Sequence, residues 1–185
     1  MSQTHVINSQ LICAKYEKEY PRVVKGEGSF LYDTEGKKYL DTSGCTAAVT
    51  SIGHGNKEVS DVLATQAQKL AVHPSHLFYN DELENYYKNV CDFAPEGFNH
   101  AWTICGGTEA IENSIKLAFQ YHVSKGNKRT KVLGRWASYH GNSITALDVG
   151  GMKVRRDYYT DLMVNHLHVS PCNIYRMPEG MSEEQ

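Results

Sequence analysis

The sequence lacks the cysteine spacing that is typical of disulfide-stabilised domains and of zinc sites. Its five cysteines are scattered over 185 residues, are odd in number and contain no CxxC pair. This usage predicts reduced thiols, with neither a disulfide framework nor a metal site. Two closely spaced histidine pairs, His73 with His76 and His166 with His168, have no third ligand nearby in the sequence and do not change this prediction.

The chain also lacks a long apolar run and an excess of charge of one sign. No segment approaches the length of a membrane span, and the polar amino terminus has no apolar core like that of a signal peptide. The net charge is −2 with acidic and basic residues interspersed, so we expect neither nucleic acid nor a membrane as partner. With 41% hydrophobic and 22% charged residues, the composition predicts a globular, cytoplasmic chain.

Residue periodicity predicts a small β-meander followed by α/β elements. Residues 23–41 alternate in polarity and turn near Asp33–Gly36, which is typical of short antiparallel strands. Apolar residues repeat at helical spacing over 56–70 and 82–93, and residues 9–16 fit a short amphipathic helix.

We therefore expect a domain boundary near residue 55. Residues 1–55 would form an amino-terminal segment with the meander, and residues 56–185 an α/β domain that is incomplete.

The most informative segment runs from Thr103 to Glu112. An apolar stretch, which we interpret as a strand over Ala101–Ile104, stops at two glycines, and a helix pattern with acidic residues follows Thr108. Glycines let the backbone approach a ligand, and the first amides of a helix favour an anion such as phosphate. An ordinary strand-to-helix turn that uses glycine for geometry alone is the alternative interpretation.

A second polar motif follows the next predicted strand, Lys131–Trp136. It contains Tyr139 and His140 within the segment 138–143. Strand, helix and strand form a unit that favours parallel pairing, and ligands of such sheets bind at the carboxyl ends of the strands. The sequence thus predicts that both motifs meet at one edge, where one holds a phosphate and the other presents an aromatic ring.

These motifs, in this order, resemble the class III aminotransferases, the ornithine and omega-amino acid group of pyridoxal-phosphate enzymes. The resemblance extends from about Tyr20 to the last residue. It is carried by Gly28–Asp33, Gly36–Asp41, Ser43–Gly44, Ile52–His54, Gly107–Ala110, Lys116–Ala118 and Ser138–Asn142.

The resemblance implies an α/β chain with the amino-terminal part of the pyridoxal-phosphate transferase fold (fold-type I), dimeric, with active sites at the subunit interface. It implies that Gly107 and Thr108 hold the phosphate of pyridoxal 5'-phosphate, that Tyr139 stacks on the pyridine ring and that His140 flanks it. The family commonly has a serine where this chain has Gly106, so phosphate binding is expected to be weaker.

The length of the chain complicates this interpretation. Members of the family are more than twice as long, and their Schiff-base lysine and ring-nitrogen aspartate match no residue here. We therefore assign no catalytic residue. A capping-box pattern from Ser182 to Gln185 suggests a helix start at the last residues. The hypothesis is a fragment or split half of an aminotransferase that is inactive alone.

Two alternatives remain beside the split-half hypothesis. They are a degenerate relic or interaction module without chemistry, and an unrelated α/β phosphate-binding domain. The family substrates would be a small amine or amino acid and a keto acid, and the chain would form a homo-oligomer or pair with a carboxyl-terminal half. Lys116 is placed on the solvent side of its helix, and Arg135, Arg155 and Arg156 are interpreted as surface charges.

Overall fold

The computed structural model describes residue 18 and residues 20–176. The chain divides into two compact units, Met1–Asn80 and Asp81–Gln185. The helix predicted for residues 9–16 and the capping box at 182–185 lie outside the described residues. The domain boundary near residue 55 stays a prediction.

The first unit begins with the antiparallel meander that the alternating pattern predicts. Strands β1 (Val23–Glu27), β2 (Phe30–Asp33) and β3 (Lys38–Leu40) pair in the order β1-β2-β3. The prediction of a meander over residues 23–41 is confirmed.

The turn between β2 and β3 is organised by the buried carboxylate of Asp33. Its Oδ1 accepts hydrogen bonds from the backbone amides of Glu35 and Lys37, each at 2.9 Å, and its Oδ2 accepts one from the Tyr39 hydroxyl at 2.7 Å. The Tyr39 hydrogen bond, helped by the two amides, lowers the pKa of Asp33 below its usual value. An ionised side chain therefore closes this turn.

After the meander, residues Gly44–Ala48 form a tight turn in which all five φ angles are positive, between 55° and 63°. Left-handed backbone is costly for residues other than glycine, and four of these five have a Cβ. Helix α1 (Lys57–Lys69) follows, and the Asn56 side chain caps it by accepting a hydrogen bond from the amide of Val59.

The second unit contains the remaining helices and a parallel strand pair. Its helices are α2 (Asp81–Phe93), α3 (Gly107–Ser124), α4 (Ile144–Val149) and α5 (Lys153–Arg156), and 3₁₀ turns cover Asp157–Leu162 and Ile174–Arg176. Strands β4 (Leu133–Arg135) and β5 (Leu167–Val169) pair in parallel.

The strand predicted over Ala101–Ile104 is wrong, because residues 101–104 form no strand. A side chain of α2 bonds this segment instead: the Tyr87 hydroxyl lies 2.8 Å from the hydroxyl of Thr103 and accepts from its amide at 3.4 Å. The parallel partner of β4 comes from later in the chain, in the register Leu133↔Leu167. The expected strand-helix-strand unit is therefore replaced by a pairing across α4 and α5.

The buried apolar side chains of the described residues gather around α4. They are Ala146, Leu147, Val149 and Met163. In the middle of this core the carboxylate of Asp148 accepts hydrogen bonds from the Arg156 guanidinium at 3.3 Å and from the His166 amide at 3.1 Å. The prediction of Arg156 as a surface charge is wrong, since the Asp148 partner allows the guanidinium to be buried.

Many large apolar side chains elsewhere are exposed, and Phe93, for example, keeps 94% of its surface accessible. Across the residues that the structure describes, no helix combines the length and apolar character that crossing a membrane would require.

Candidate cofactor site

The first motif forms the amino-terminal end of α3. The helix begins at Gly107, and the preceding residue, Gly106, is its N-cap and gives no side-chain hydrogen bond to the first turn. The early amides of a helix have no partner within the helix and lie at the positive end of its dipole. With glycine at both positions, an anion can reach these amides closely.

The second motif contacts this helix end directly. The amide of Asn142 donates a hydrogen bond to the Thr108 hydroxyl at 3.2 Å. Gly141 lies so close to Thr108 that a Cβ added to Gly141 would be 2.6 Å from Thr108 Oγ1 and 2.9 Å from Thr108 Cα. The φ angle of Gly141 is +136°. Only glycine fits here without strain. The structure thus brings together the two motifs that the sequence placed at one edge.

Another hydrogen bond holds the same loop to α3. The Ser143 hydroxyl donates to Oε1 of Glu112, one turn further along α3, and the Ser143 oxygen also accepts from the Ala146 amide at 3.2 Å as the cap of α4. Residues 138–143 are therefore fixed between α3 and the buried helix α4.

Tyr139 lies in the loop that contacts this helix end. Its side chain is 55% exposed, and the Arg155 guanidinium carbon lies 5.0 Å from the ring centroid. That distance is within the range of a cation–π interaction. Arg155 is exposed as predicted, but it contacts the candidate site and is not only a surface charge. Sequence spacing did not reveal this, because Arg155 reaches Tyr139 from α5.

One acidic side chain lies against the N-cap of α3. A Cβ built on Gly106 would meet Oε2 of Glu109 at 2.6 Å, so this carboxylate lies beside the amides that favour an anion. Its negative charge opposes that of a phosphate at the same place. Sequence reasoning noted Glu109 only as a sign of a helix start.

The remaining predicted residues fall as follows. His140 is half-buried between Tyr139 and Gly141, and Lys116 and Arg135 are exposed, as predicted. The structure thus places the loop that carries Tyr139 and His140 against the glycine-flanked start of α3.

The fold is the amino-terminal part of the pyridoxal-phosphate transferase fold, as its likeness to solved aminotransferases shows. The chain belongs to the class III aminotransferases: the family described as "Aminotransferase class-III" matches residues 12–185. The cofactor of this family is pyridoxal phosphate.

Relatives in other organisms agree with this family. The chain is 38% identical over 162 residues to an uncharacterized aminotransferase of Schizosaccharomyces pombe, covering 86% of this chain and 35% of the relative. It is 33% identical over 180 residues to an uncharacterized aminotransferase of Bacillus subtilis, covering 96% of this chain and 40% of that relative.

A solved aminotransferase structure also resembles this chain. The adenosylmethionine-8-amino-7-oxononanoate aminotransferase of Methanocaldococcus jannaschii has a TM-score of 0.76 and 31% identity, over 85% of this chain and 36% of that one. The chain thus spans about two fifths or less of the length of these relatives.

Proposed function

We propose that this chain supplies the phosphate-binding and ring-binding wall of a pyridoxal-phosphate-dependent aminotransferase. In this proposal Gly107 and Thr108 bind the phosphate, Tyr139 stacks on the pyridine ring and His140 flanks it. The observation that carries the proposal is the contact of Asn142 and Gly141 with Thr108, because it joins a phosphate cradle to an aromatic ring.

The geometry at Thr108 suits a phosphate. Its oxygen already accepts from the Asn142 amide, so its proton is free to donate to an incoming anion. The amides of Gly107 and Thr108 add donors at the positive end of α3. Gly106 has no hydroxyl, which leaves the backbone as the source of hydrogen bonds at that position.

The ring side relies on Tyr139. Arg155 lies over this ring, so the phenol is held by a cation and by the loop bonds to α3. An aromatic face of this kind stacks on a planar heterocycle. When bound, pyridoxal phosphate supplies an electron sink that stabilises the carbanion of an amine substrate.

The overall activity is the transfer of an amino group from a small amine or amino acid to a keto acid. No lysine of this chain is assigned the Schiff-base role, so we infer that a carboxyl-terminal half supplies the lysine and the ring-nitrogen aspartate. The chain alone is then inactive. In the cytoplasm it forms a homo-oligomer or pairs with that half, and only the pair transfers amino groups.

An interaction module without chemistry is the second candidate. The observation that favours it is the Glu109 carboxylate beside Gly106, since a negative charge at the cradle weakens phosphate binding.

The test is a titration of pyridoxal phosphate into the full chain mixed with a carboxyl-terminal half of a class III aminotransferase. Thr108→Ala removes a charge-assisted hydrogen bond worth about 1.5–3 kcal/mol, so Kd should rise roughly tenfold to a hundredfold. Tyr139→Ala should raise Kd about fivefold, for a stacking contribution of about 1 kcal/mol. Glu109→Gln removes the opposing charge and should lower Kd.

Lys116→Ala is the matched control, because this side chain is exposed on α3 and should not change Kd. Tight binding by Thr108→Ala and Tyr139→Ala together with weak binding by Lys116→Ala would place the cofactor elsewhere.

A second measurement examines the isolated chain. Borohydride reduction in the presence of pyridoxal phosphate, followed by peptide mapping, should label no single lysine stoichiometrically. One fully labelled lysine would show that the chain carries its own Schiff-base residue.

A further inference from the structure

Three potential metal ligands lie close together in the first unit. Nε2 of His54 is 3.0 Å from Oδ2 of Asp41 and 3.7 Å from Sγ of Cys45. All three ligand atoms lie within 4.8 Å of one another, and no other such group of three occurs among residues 20–176. One nitrogen, one oxygen and one sulfur ligand are therefore close enough to bind one metal ion.

The separation of the sulfur and nitrogen atoms suits a tetrahedral zinc ion, and the 3.0 Å between His54 Nε2 and Asp41 Oδ2 would widen to about 3.4 Å on binding. With Zn–S near 2.3 Å and Zn–N near 2.05 Å, a tetrahedral angle places sulfur and nitrogen about 3.6 Å apart. In the structure, Cys45 Sγ and His54 Nε2 lie 3.7 Å apart. The mixed sulfur and imidazole ligands favour zinc over magnesium or calcium.

Asp41 is held in place by backbone amides. Its Oδ1 accepts from the Ser43 amide at 3.1 Å and its Oδ2 from the Cys45 amide at 2.8 Å. These two backbone hydrogen bonds fix the carboxylate beside Cys45 and His54.

His54 is fixed by its own backbone. It forms an isolated antiparallel bridge with Gly28, with hydrogen bonds of 3.0 and 2.8 Å. The ring packs against Gly26, where an added Cβ would lie 2.6 Å from the His54 Cβ and Cγ. Its side chain is only 14% exposed, so the imidazole has little freedom to turn away.

Cys45 is placed by the left-handed turn Gly44–Ala48. A left-handed residue with a Cβ costs about 1–2 kcal/mol, and such strain collects at functional sites. Here the turn brings the thiol towards the His54 ring, while Cys45 itself is exposed. Exposure on this side leaves room for a fourth ligand such as water.

We propose that Asp41, Cys45 and His54 form a zinc-binding site with an open fourth position. Cys45 binds as the thiolate and releases one proton, while the neutral imidazole of His54 binds through Nε2 and keeps its ring proton on Nδ1. This proposal revises the prediction of no metal site, which rested on the distance between possible ligands in the sequence.

The test uses the full chain, freed of metal by a chelator, with Co²⁺ as a spectroscopic substitute for Zn²⁺. A thiolate ligand gives cobalt an intense near-ultraviolet charge-transfer band, which Zn²⁺ should abolish by competition. Cys45→Ser preserves the volume of the side chain and should remove the band and weaken Zn²⁺ binding at least tenfold. Cys172→Ser, at another exposed cysteine, is the matched control and should keep both.

His54→Gln provides an independent variant, with circular dichroism to check that the chain still folds. In a folded His54→Gln chain, at least tenfold weaker Zn²⁺ binding is expected. Absence of the band in the parent chain, or its survival in Cys45→Ser, would overturn the proposal and leave a hydrogen-bonded cluster without metal.

Discussion

Each of the two units is stabilised internally by a different kind of contact. In the described part of the first unit Asp33 is the one buried residue, and turns are closed by carboxylates that accept backbone hydrogen bonds. The second unit has an apolar core around α4 with a buried ion pair inside it. Substitutions that remove buried groups should therefore lower the free energy of unfolding most in the second unit. Lowering the pH into the acid range should reduce it most in the first unit.

The largest effect is expected for Asp148→Ala. This change leaves the Arg156 guanidinium buried without its anionic partner and removes the acceptor of the His166 amide. Breaking a buried pair from one side costs about 3–5 kcal/mol of unfolding free energy, which urea denaturation measures. Asp161→Ala, at an exposed acid of the same unit, is the control and should cost less than about 0.5 kcal/mol.

A pair of leucines compares the two units directly. Leu147 is 6% exposed in the core, and Leu63 on α1 is 65% exposed. Leu147→Ala should lower the unfolding free energy by about 2–3 kcal/mol through lost burial and a cavity, whereas Leu63→Ala should change it by less than about 0.5 kcal/mol. Equal losses in urea denaturation would show that α1 is buried in solution.

Gly141→Ala examines the contact between the loop and α3. The new Cβ would collide with Thr108, and the backbone would keep an unfavourable φ of +136°. Strain of this kind costs about 1–3 kcal/mol. Gly107→Ala is the control for stability, since a Cβ there meets nothing within 4 Å. If both variants unfold at the same urea concentration, the loop does not pack on Thr108.

The smallest expected effect is the dependence of stability on pH at Asp41. Its pKa is lowered from 3.8 to about 2, chiefly by His54, so the unfolded chain takes up the proton first as the pH falls. The stabilisation is complete above pH 3.8 and is lost as the pH falls towards about 2.

Asp41→Asn should flatten the slope of unfolding free energy against pH in this window, and urea denaturation at several pH values measures it. Asp61→Asn, at an exposed acid on α1, should keep the slope of the parent chain. A parental slope in Asp41→Asn would show that other groups cause it.

Local patterns were enough to predict α1, α2, α3 and the meander, but α4 and α5 were not predicted. The helix predicted over residues 56–70 is observed as Lys57–Lys69, and that over 82–93 as Asp81–Phe93. Helical spacing and a capping asparagine depend on neighbouring residues alone, and so does the alternation that predicts β1 to β3. The proximity of the two motifs was also predicted, but through a strand over Ala101–Ile104 that the structure does not contain, and the contact of Gly141 with Thr108 was not predicted.

Features that depend on distant partners were missed. A short apolar run such as Ala101–Ile104 suits a strand only if another strand pairs with it, and here β4 pairs with β5. Arg156 is buried because Asp148 compensates its charge. The meeting of Cys45 with His54 requires the left-handed turn, for which the sequence offers one glycine, at Gly44.

The parallel pairing of β4 with β5 also bears on how fast the chain folds. Leu133 pairs with Leu167, so the ends of a long segment must find each other, and closing a long loop slows folding. The contacts of Asp148 with Arg156 and with the His166 amide span only 8 and 18 residues. Formed first, they shorten the loop that β5 must close. Asp148 thus lowers the entropic cost of pairing β5 with β4, and its loss should slow refolding as well as hasten unfolding.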